Sequence, residues 1–217
     1  LWPDVFFSLL PSPLKGLGPL IFARWRARAK RACSSATSIV GISPSYLDWG
    51  LSCAARAQGP NDAVIPLGYP ARTRADVTKT CQARAKLESL GVNFSQTLIS
   101  FIGTFGRSYD LLTVIEAAKT LSPNKDLQFV LCGDGDQDVD WRAQAKDLPN
   151  VVFPGWVDQI EITTLLDAST LGLAAYAPGV KQGLPNKFFE YMSFGLPVVS
   201  SLRGEAAAEI KSQGIRR

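Results

Sequence analysis

The sequence predicts an α/β fold: a doubly wound parallel sheet with helices on both faces. Two observations carry this. From residue 97 onward, short apolar runs alternate with helix-length stretches, the pattern of a parallel sheet covered on both sides. Three of those runs also open into glycine-bearing loops, and ligands of such sheets sit beyond the carboxyl ends of the strands. A hydrophobic content of 46% with 19% charged residues is that of a globular chain able to bury a sizeable core.

Taken in order, residues 1–20 open on Leu1-Trp2-Pro3-Asp4 and continue as an apolar, proline-spaced run. Residues 20–35 read as one helix with basic groups at nearly every second position. Residues 38–43 form a strand candidate, followed by a helix capped by Ser43 or Ser45. Residues 63–66 form a second short strand, and Leu67-Gly68-Tyr69-Pro70 is a turn-rich linker. Residues 76–90 are a helix with Asp76 as N-cap and Gly91 as its end. The alternation then begins. Strands are predicted at 97–102, 127–132, 151–153, 171–175 and 197–201. Helices are predicted at 110–121, 137–146, 159–167 and 186–194. No internal repeat or low-complexity tract appears.

Charge and composition remove several function classes. The chain has no histidine, which excludes Ser-His-Asp chemistry, histidine bases and histidine metal sites. Cys33, Cys53, Cys81 and Cys132 are widely spaced and suggest reduced cytoplasmic thiols rather than zinc or a disulfide framework. No run of 18 apolar residues exists, so no spanning helix is predicted. Net charge is +4, but residues 1–31 alone hold six basic groups against Asp4, leaving the rest near neutral. This is a local basic patch, not a nucleic-acid-binding domain. The basic helix is either a solvated face or a peripheral contact with an anionic membrane surface. The chain begins at Leu1 and ends on Ile215-Arg216-Arg217, and both ends read as cut from a longer protein.

Residues 182–205 hold the densest chemistry. Gly183-Leu184-Pro185 ends a loop, and Asn186-Lys187 opens a short helix through Phe194. A helix N-terminus leaving a glycine loop attracts anions, because its first N–H groups lack partners. Lys187 adds charge there, and Glu190 lies three residues on, where it can accept hydrogen bonds from vicinal hydroxyls. Phosphate at the tip and a diol one turn in describe a nucleoside diphosphate; a solvated Lys–Glu pair is the alternative. Gly195, Pro197 and the Val198-Val199 strand close the segment.

This stretch resembles the donor-binding signature of retaining GT-B glycosyltransferases of family 4, a group that uses nucleotide sugars. The Leu184-Pro185-Asn186-Lys187 and Glu190-Tyr191-Met192 version is similar to a subgroup that builds surface polysaccharide. Glu190 falls on the family's second Glu, which the resemblance assigns to the ribose hydroxyls. The first Glu position is Gln182, and the spacing from Gly183-Leu184-Pro185 to Glu190 is two residues longer than the commonest form. Residues 71–217 would be the donor-binding domain, incomplete at its C-terminus. Residues 1–70 would be the last part of the acceptor-side N-terminal Rossmann-like domain plus linker. Such a fragment alone is expected to be inactive, because a GT-B site closes between two domains.

The resemblance implies a UDP-, GDP- or ADP-linked sugar as donor, retention without a protein nucleophile, no cofactor and no metal. The acceptor would be a glycan or lipid-linked sugar, met at the cytoplasmic side. Its other donor contacts come from the glycine loops. Gly103, Thr104, Phe105, Gly106 and Arg107 follow the first strand of the alternation, where glycines permit close backbone approach and Arg107 is a bidentate donor. The family's basic clamp on the diphosphate falls here on Thr104, Tyr109 and Asp110, so Arg107 and Lys187 are the candidates to replace it. Gly133-Asp134-Gly135 matches the family's turn, either as ligand contact or as a tight turn before a helix. In the Trp156-Val157 loop the family's backbone meets the base, and Trp156 either stacks on the base or packs against the next helix. A Rossmann oxidoreductase is one rival, although Gly133-Asp134-Gly135 is followed by Asp138 where the third glycine of a dinucleotide fingerprint belongs. A catalytically degenerate nucleotide-binding domain that regulates a partner is another.

Overall fold

A computed structural model of the chain describes residues 10, 12–66, 68–69, 76–178, 180 and 185–202. The chain forms two compact units, residues 1–68 and 69–217. Among the described residues no helix is long and apolar enough to cross a membrane.

In the first unit a 3₁₀ segment, Ser12–Leu17, leads into α1 (Gly18–Ile21) and α2 (Ala23–Ser35). The single helix predicted for 20–35 is therefore interrupted, at Phe22, whose ψ of 9° lies outside the helical well. No residue of α2 is buried. Strand β1 (Val40–Gly41) runs parallel to β2 (Ala63–Val64), with α3 (Pro44–Ala54) between them. Ser43 occupies the N-cap position of α3 in extended geometry but makes no cap bond; its hydroxyl pairs with that of Ser45 at 3.2 Å. Asp62 organises the return to β2. Its carboxylate accepts from the amides of Ile39 and Gly59, both at 2.7 Å, and from the Arg56 guanidinium. Arg56, first, and then these amides hold the carboxyl well below the usual range.

The second unit opens with α4 (Val77–Ser89). Asp76 caps it by accepting from the Thr78 amide at 2.8 Å, and Gly91, at φ +98°, ends it. Five parallel strands follow: β3 (Thr97–Ile102), β4 (Leu127–Cys132), β5 (Val151–Gly155), β6 (Ser169–Ala174) and β7 (Val198–Ser200). Helices α5 (Leu111–Thr120), α6 (Asp138–Ala145), α7 (Gln159–Ala168) and α8 (Asn186–Ser193) connect them. The spatial order is β5-β4-β3-β6-β7. Progression reverses between β3 and β6, which makes their carboxyl ends the topological switch point. The sheet is the doubly wound one expected, and β5 extends two residues beyond the predicted strand.

Period-two alternation divides the core between the faces. Leu98, Ile102, Val130, Cys132 and Ala174 pack with Leu87 of α4, Leu165 and Leu166 of α7, and Phe188 and Tyr191 of α8. Phe101, Phe129, Leu131 and Leu173 pack on the other face with α5 and with Trp141 and Ala145 of α6.

One polar side chain joins the strands at the switch point. The β3–β6 register runs to Ser100↔Gly172. Beyond it, the Ile102 amide donates to the Tyr191 phenol at 3.3 Å, and the phenol donates to the Leu173 carbonyl at 3.1 Å. Tyr191 is fully buried, and Gly172 makes room for it: a Cβ there would lie 2.6 Å from the ring. Tyr191→Phe should cost about 1–3 kcal/mol, the penalty for buried groups deprived of a partner. Urea unfolding checks this, and a loss below about 0.5 kcal/mol would show that water or relaxation satisfies both groups.

Candidate functional site

Three loops leave the carboxyl ends of β3, β4 and β5 and bind one another through their backbones. Gly103 donates to the Cys132 carbonyl at 3.0 Å, Phe105 to Asp134 at 2.8 Å and Gly133 to Gly155 at 2.9 Å. Glycine is required where they cross. A Cβ on Gly133 would fall 1.9 Å from the Gly103 carbonyl oxygen, and Gly133 itself sits at φ +151°. The Gly106 amide also bonds internally, to Thr104 at 2.9 Å. The glycines thus build the crossing, and among the described residues of this loop the amides of Thr104, Arg107 and Ser108 make no such bond. The Arg107 side chain is exposed. The Phe105 ring is fully buried, edge-on to Trp141 at 5.2 Å, and anchors the loop from below.

The β3–α5 loop is also tied to the chain leaving β6. Asp110 donates to Ala175 at 3.0 Å and Ala177 to Ser108 at 2.9 Å, and Tyr109 bridges Tyr176 in antiparallel fashion. Both sides of the switch-point crevice are thereby held at fixed separation.

Pro185 is the buried, extended N-cap of α8, and Asn186 is exposed. Gly183, Leu184 and Gln182 lie outside the described residues. Lys187 is placed differently from the expectation of a charge at the helix mouth. Only 8% exposed, it directs its ammonium under the Gly103 turn, where it donates to the Ile102 carbonyl. The ammonium stands 4.4 Å from the Phe101 ring centroid and 5.1 Å from that of Tyr109, in cation–π range of both. It also explains Gly103, where a Cβ would meet Lys187 Nζ at 2.6 Å. Burial pushes the ammonium down to about 8, with Glu190 opposing that shift.

Glu190 is half-buried, one turn into α8, and accepts from the Tyr69 phenol at 2.8 Å. Trp156 is 75% exposed rather than packed on α7, while Val157 is buried. Reasoning from sequence missed Tyr69, Tyr109 and Tyr191. Tyr191 carried a readable signal, since it follows Lys187 by four residues and shares its helix face. Tyr69 carried none.

Lys187 gives a pH-dependent test. In the unfolded chain it titrates near its ordinary 10.5, and in the folded protein near 8. Between these values unfolding takes up a proton, so raising the pH favours the folded state. The stability of wild type relative to Lys187→Met should therefore rise from pH 8 toward 10.5. A pH-independent difference in chemical unfolding would place the ammonium in solvent.

The crossed glycine loops and the carboxylate on α8 belong to a doubly wound α/β domain, a class whose ligands sit beyond the carboxyl ends of the strands. Residues 96–216 match the family described as "Glycosyl transferases group 1". That is more than half of the chain, and the protein belongs to this family. The fold agrees. Anabaena Alr3699/HepE in complex with UDP-glucose superposes with a TM-score of 0.58 at 20% identity, over 80% of this chain and 47% of that one. WaaG, a glycosyltransferase involved in lipopolysaccharide biosynthesis, gives 0.57 at 19% identity, over 80% and 47%. The pneumococcal O-GlcNAc transferase GtfA in complex with UDP and GlcNAc gives 0.56 at 12%, over 82% and 32%. The chain spans about half the length of the first two structures. No curated protein sequence matches it.

Proposed function

We propose that this chain carries the nucleotide-sugar site of a retaining GT-B glycosyltransferase of family 4. The observation that carries the reading is Glu190, a half-buried carboxylate on α8 next to the switch-point crevice, at the position matching the ribose-binding Glu of the family. In this reading the diphosphate lies against the turn beyond β3, and UDP-sugar complexes among the structural neighbours support a nucleotide-linked sugar as donor. The donor is UDP-, GDP- or ADP-linked. Transfer breaks the bond from the sugar to the diphosphate and forms one to an acceptor hydroxyl on the same face of the sugar. Charge stabilisation of the leaving diphosphate is the main contribution asked of the protein.

Within this reading Arg107 is the exposed cation nearest in sequence to the glycine turn and contacts the diphosphate directly. Lys187 acts from beneath, through the Ile102 carbonyl and the Gly103 turn. Thr104 and Arg107 offer their amides, and Trp156 offers an exposed indole face to the base. The acceptor is a polysaccharide or lipid-linked sugar at the cytoplasmic side, as in the subgroup the signature resembles. The unburied basic helix α2, with its own exposed Trp25 and the exposed Leu20 of α1, suits peripheral contact with an anionic lipid surface.

Glu190→Ala should weaken nucleoside diphosphate binding by about 1.5–3 kcal/mol, the worth of a hydrogen bond to a charged group. Unchanged affinity with the fold intact would remove Glu190 from the site. Arg107→Ala should cost about 1–2 kcal/mol for a nucleoside diphosphate and less for the monophosphate, because only the former places a second anionic group beside the guanidinium. Equal losses in the two titrations would move Arg107 to the base or ribose. Turnover with a nucleotide sugar separates an enzyme from a donor-binding regulator.

A further inference from the structure

Glu190 already has a protein partner. The Tyr69 phenol donates to its Oε1 at 2.8 Å, with the Gln159 side chain beside the same phenol. Gln159 opens α7, two residues past the Trp156–Val157 turn, while Glu190 lies on α8. One hydroxyl therefore sits between the elements that the proposed function assigns to base and ribose. Tyr69 is half-buried, and burial first, then the Glu190 carboxylate, push its phenol up to about 12. It is a hydrogen-bond donor throughout the neutral range.

A phenol and a sugar hydroxyl offer the same chemistry to a carboxylate: an O–H donor at about 2.6–2.8 Å. A vicinal diol asks for both carboxylate oxygens at once, in their own plane. A phenol on Oε1 occupies one of those lone pairs and the volume in front of it. We propose that Tyr69 is an internal competitor of the donor nucleotide: its hydroxyl holds the carboxylate oxygen that a ribose diol requires, and the diol displaces it on binding. This rests on the assignment of Glu190 to the ribose.

Two consequences follow from the competition. A nucleotide with the diol exchanges one O–H···carboxylate bond for two, whereas one without it leaves the phenol in place. Affinity for the diphosphate is also held below the value Glu190 alone would give, which favours product release. Tyr69 thus sets both the affinity and the selectivity for an intact ribose.

The experiment is calorimetric titration of the full chain with UDP, GDP and ADP, then with the 2′,3′-dideoxy form of whichever binds. Wild type, Tyr69→Phe and Glu190→Ala are compared. Tyr69→Phe should bind the parent diphosphate about three- to tenfold more tightly, the net worth of one hydrogen bond removed from the free protein. It should bind the dideoxy form as wild type does. Unchanged or weaker binding of the parent diphosphate by Tyr69→Phe overturns the proposal while leaving the donor site standing. A wild type that binds none of the three, or an unaffected Glu190→Ala, overturns both. A readout that needs no variant is the Tyr69 ring carbon resonance in tyrosine-labelled protein. It should move on adding the parent diphosphate and hold still with the dideoxy form; an equal shift with both contradicts displacement.

Discussion

The end of β3 depends on two side chains of α8, one turn apart, that hold opposite poles of the same residue. Where β3 and β6 part to open the switch-point crevice, their ladder groups face each other without reaching. A buried backbone N–H or C=O without a partner is costly, so something must bridge the gap. Tyr191 places its hydroxyl between the Ile102 amide and the Leu173 carbonyl, and Lys187 donates to the Ile102 carbonyl. The switch-point crevice and the polar wedge that keeps it open are products of the same strand divergence. Because both residues lie on α8, the interaction also fixes the helix that presents Glu190.

The loops above the sheet are organised by close approach rather than by freedom. Gly103 and Gly133 cross at a distance no side chain tolerates, and their amides are engaged with neighbouring strand ends. Rigidity of this kind favours binding, because a backbone already ordered loses little entropy when a ligand arrives. The buried ammonium of Lys187 contributes from underneath. In a low-dielectric setting its field acts on the turn above it more strongly than a solvated charge would, at the cost of its desolvation. The aromatic rings of Phe101 and Tyr109 offset part of that cost.

Much of this was legible in the chain. The strand–helix alternation, the Asp76 cap, the glycine ends of strands β3 to β5 and the short α8 helix follow from local rules of periodicity, capping and turn chemistry, which act over a few residues. The group 1 family was visible for the same reason: its signature is one continuous stretch of sequence, from Leu184-Pro185 through Glu190 to Val198. Local rules also misjudged details where neighbours decide, such as the break at Phe22 and the absent hydroxyl cap at Ser43.

What the sequence determined by itself is therefore the element list, the doubly wound class and the identity of the segment that bears the carboxylate. Tertiary structure decided which way the side chains of that segment face. Spacing places Lys187 and Glu190 on one helix surface, yet packing sends the lysine under the Gly103 turn and leaves the glutamate to a tyrosine 121 positions away. No local rule contains that partnership, because it arises only when the strand order brings α7, α8 and the start of the unit to one side of the sheet. Burial, which assigns an ammonium to a carbonyl and a phenol to a gap between strands, is a property of the whole fold and has no period in the chain.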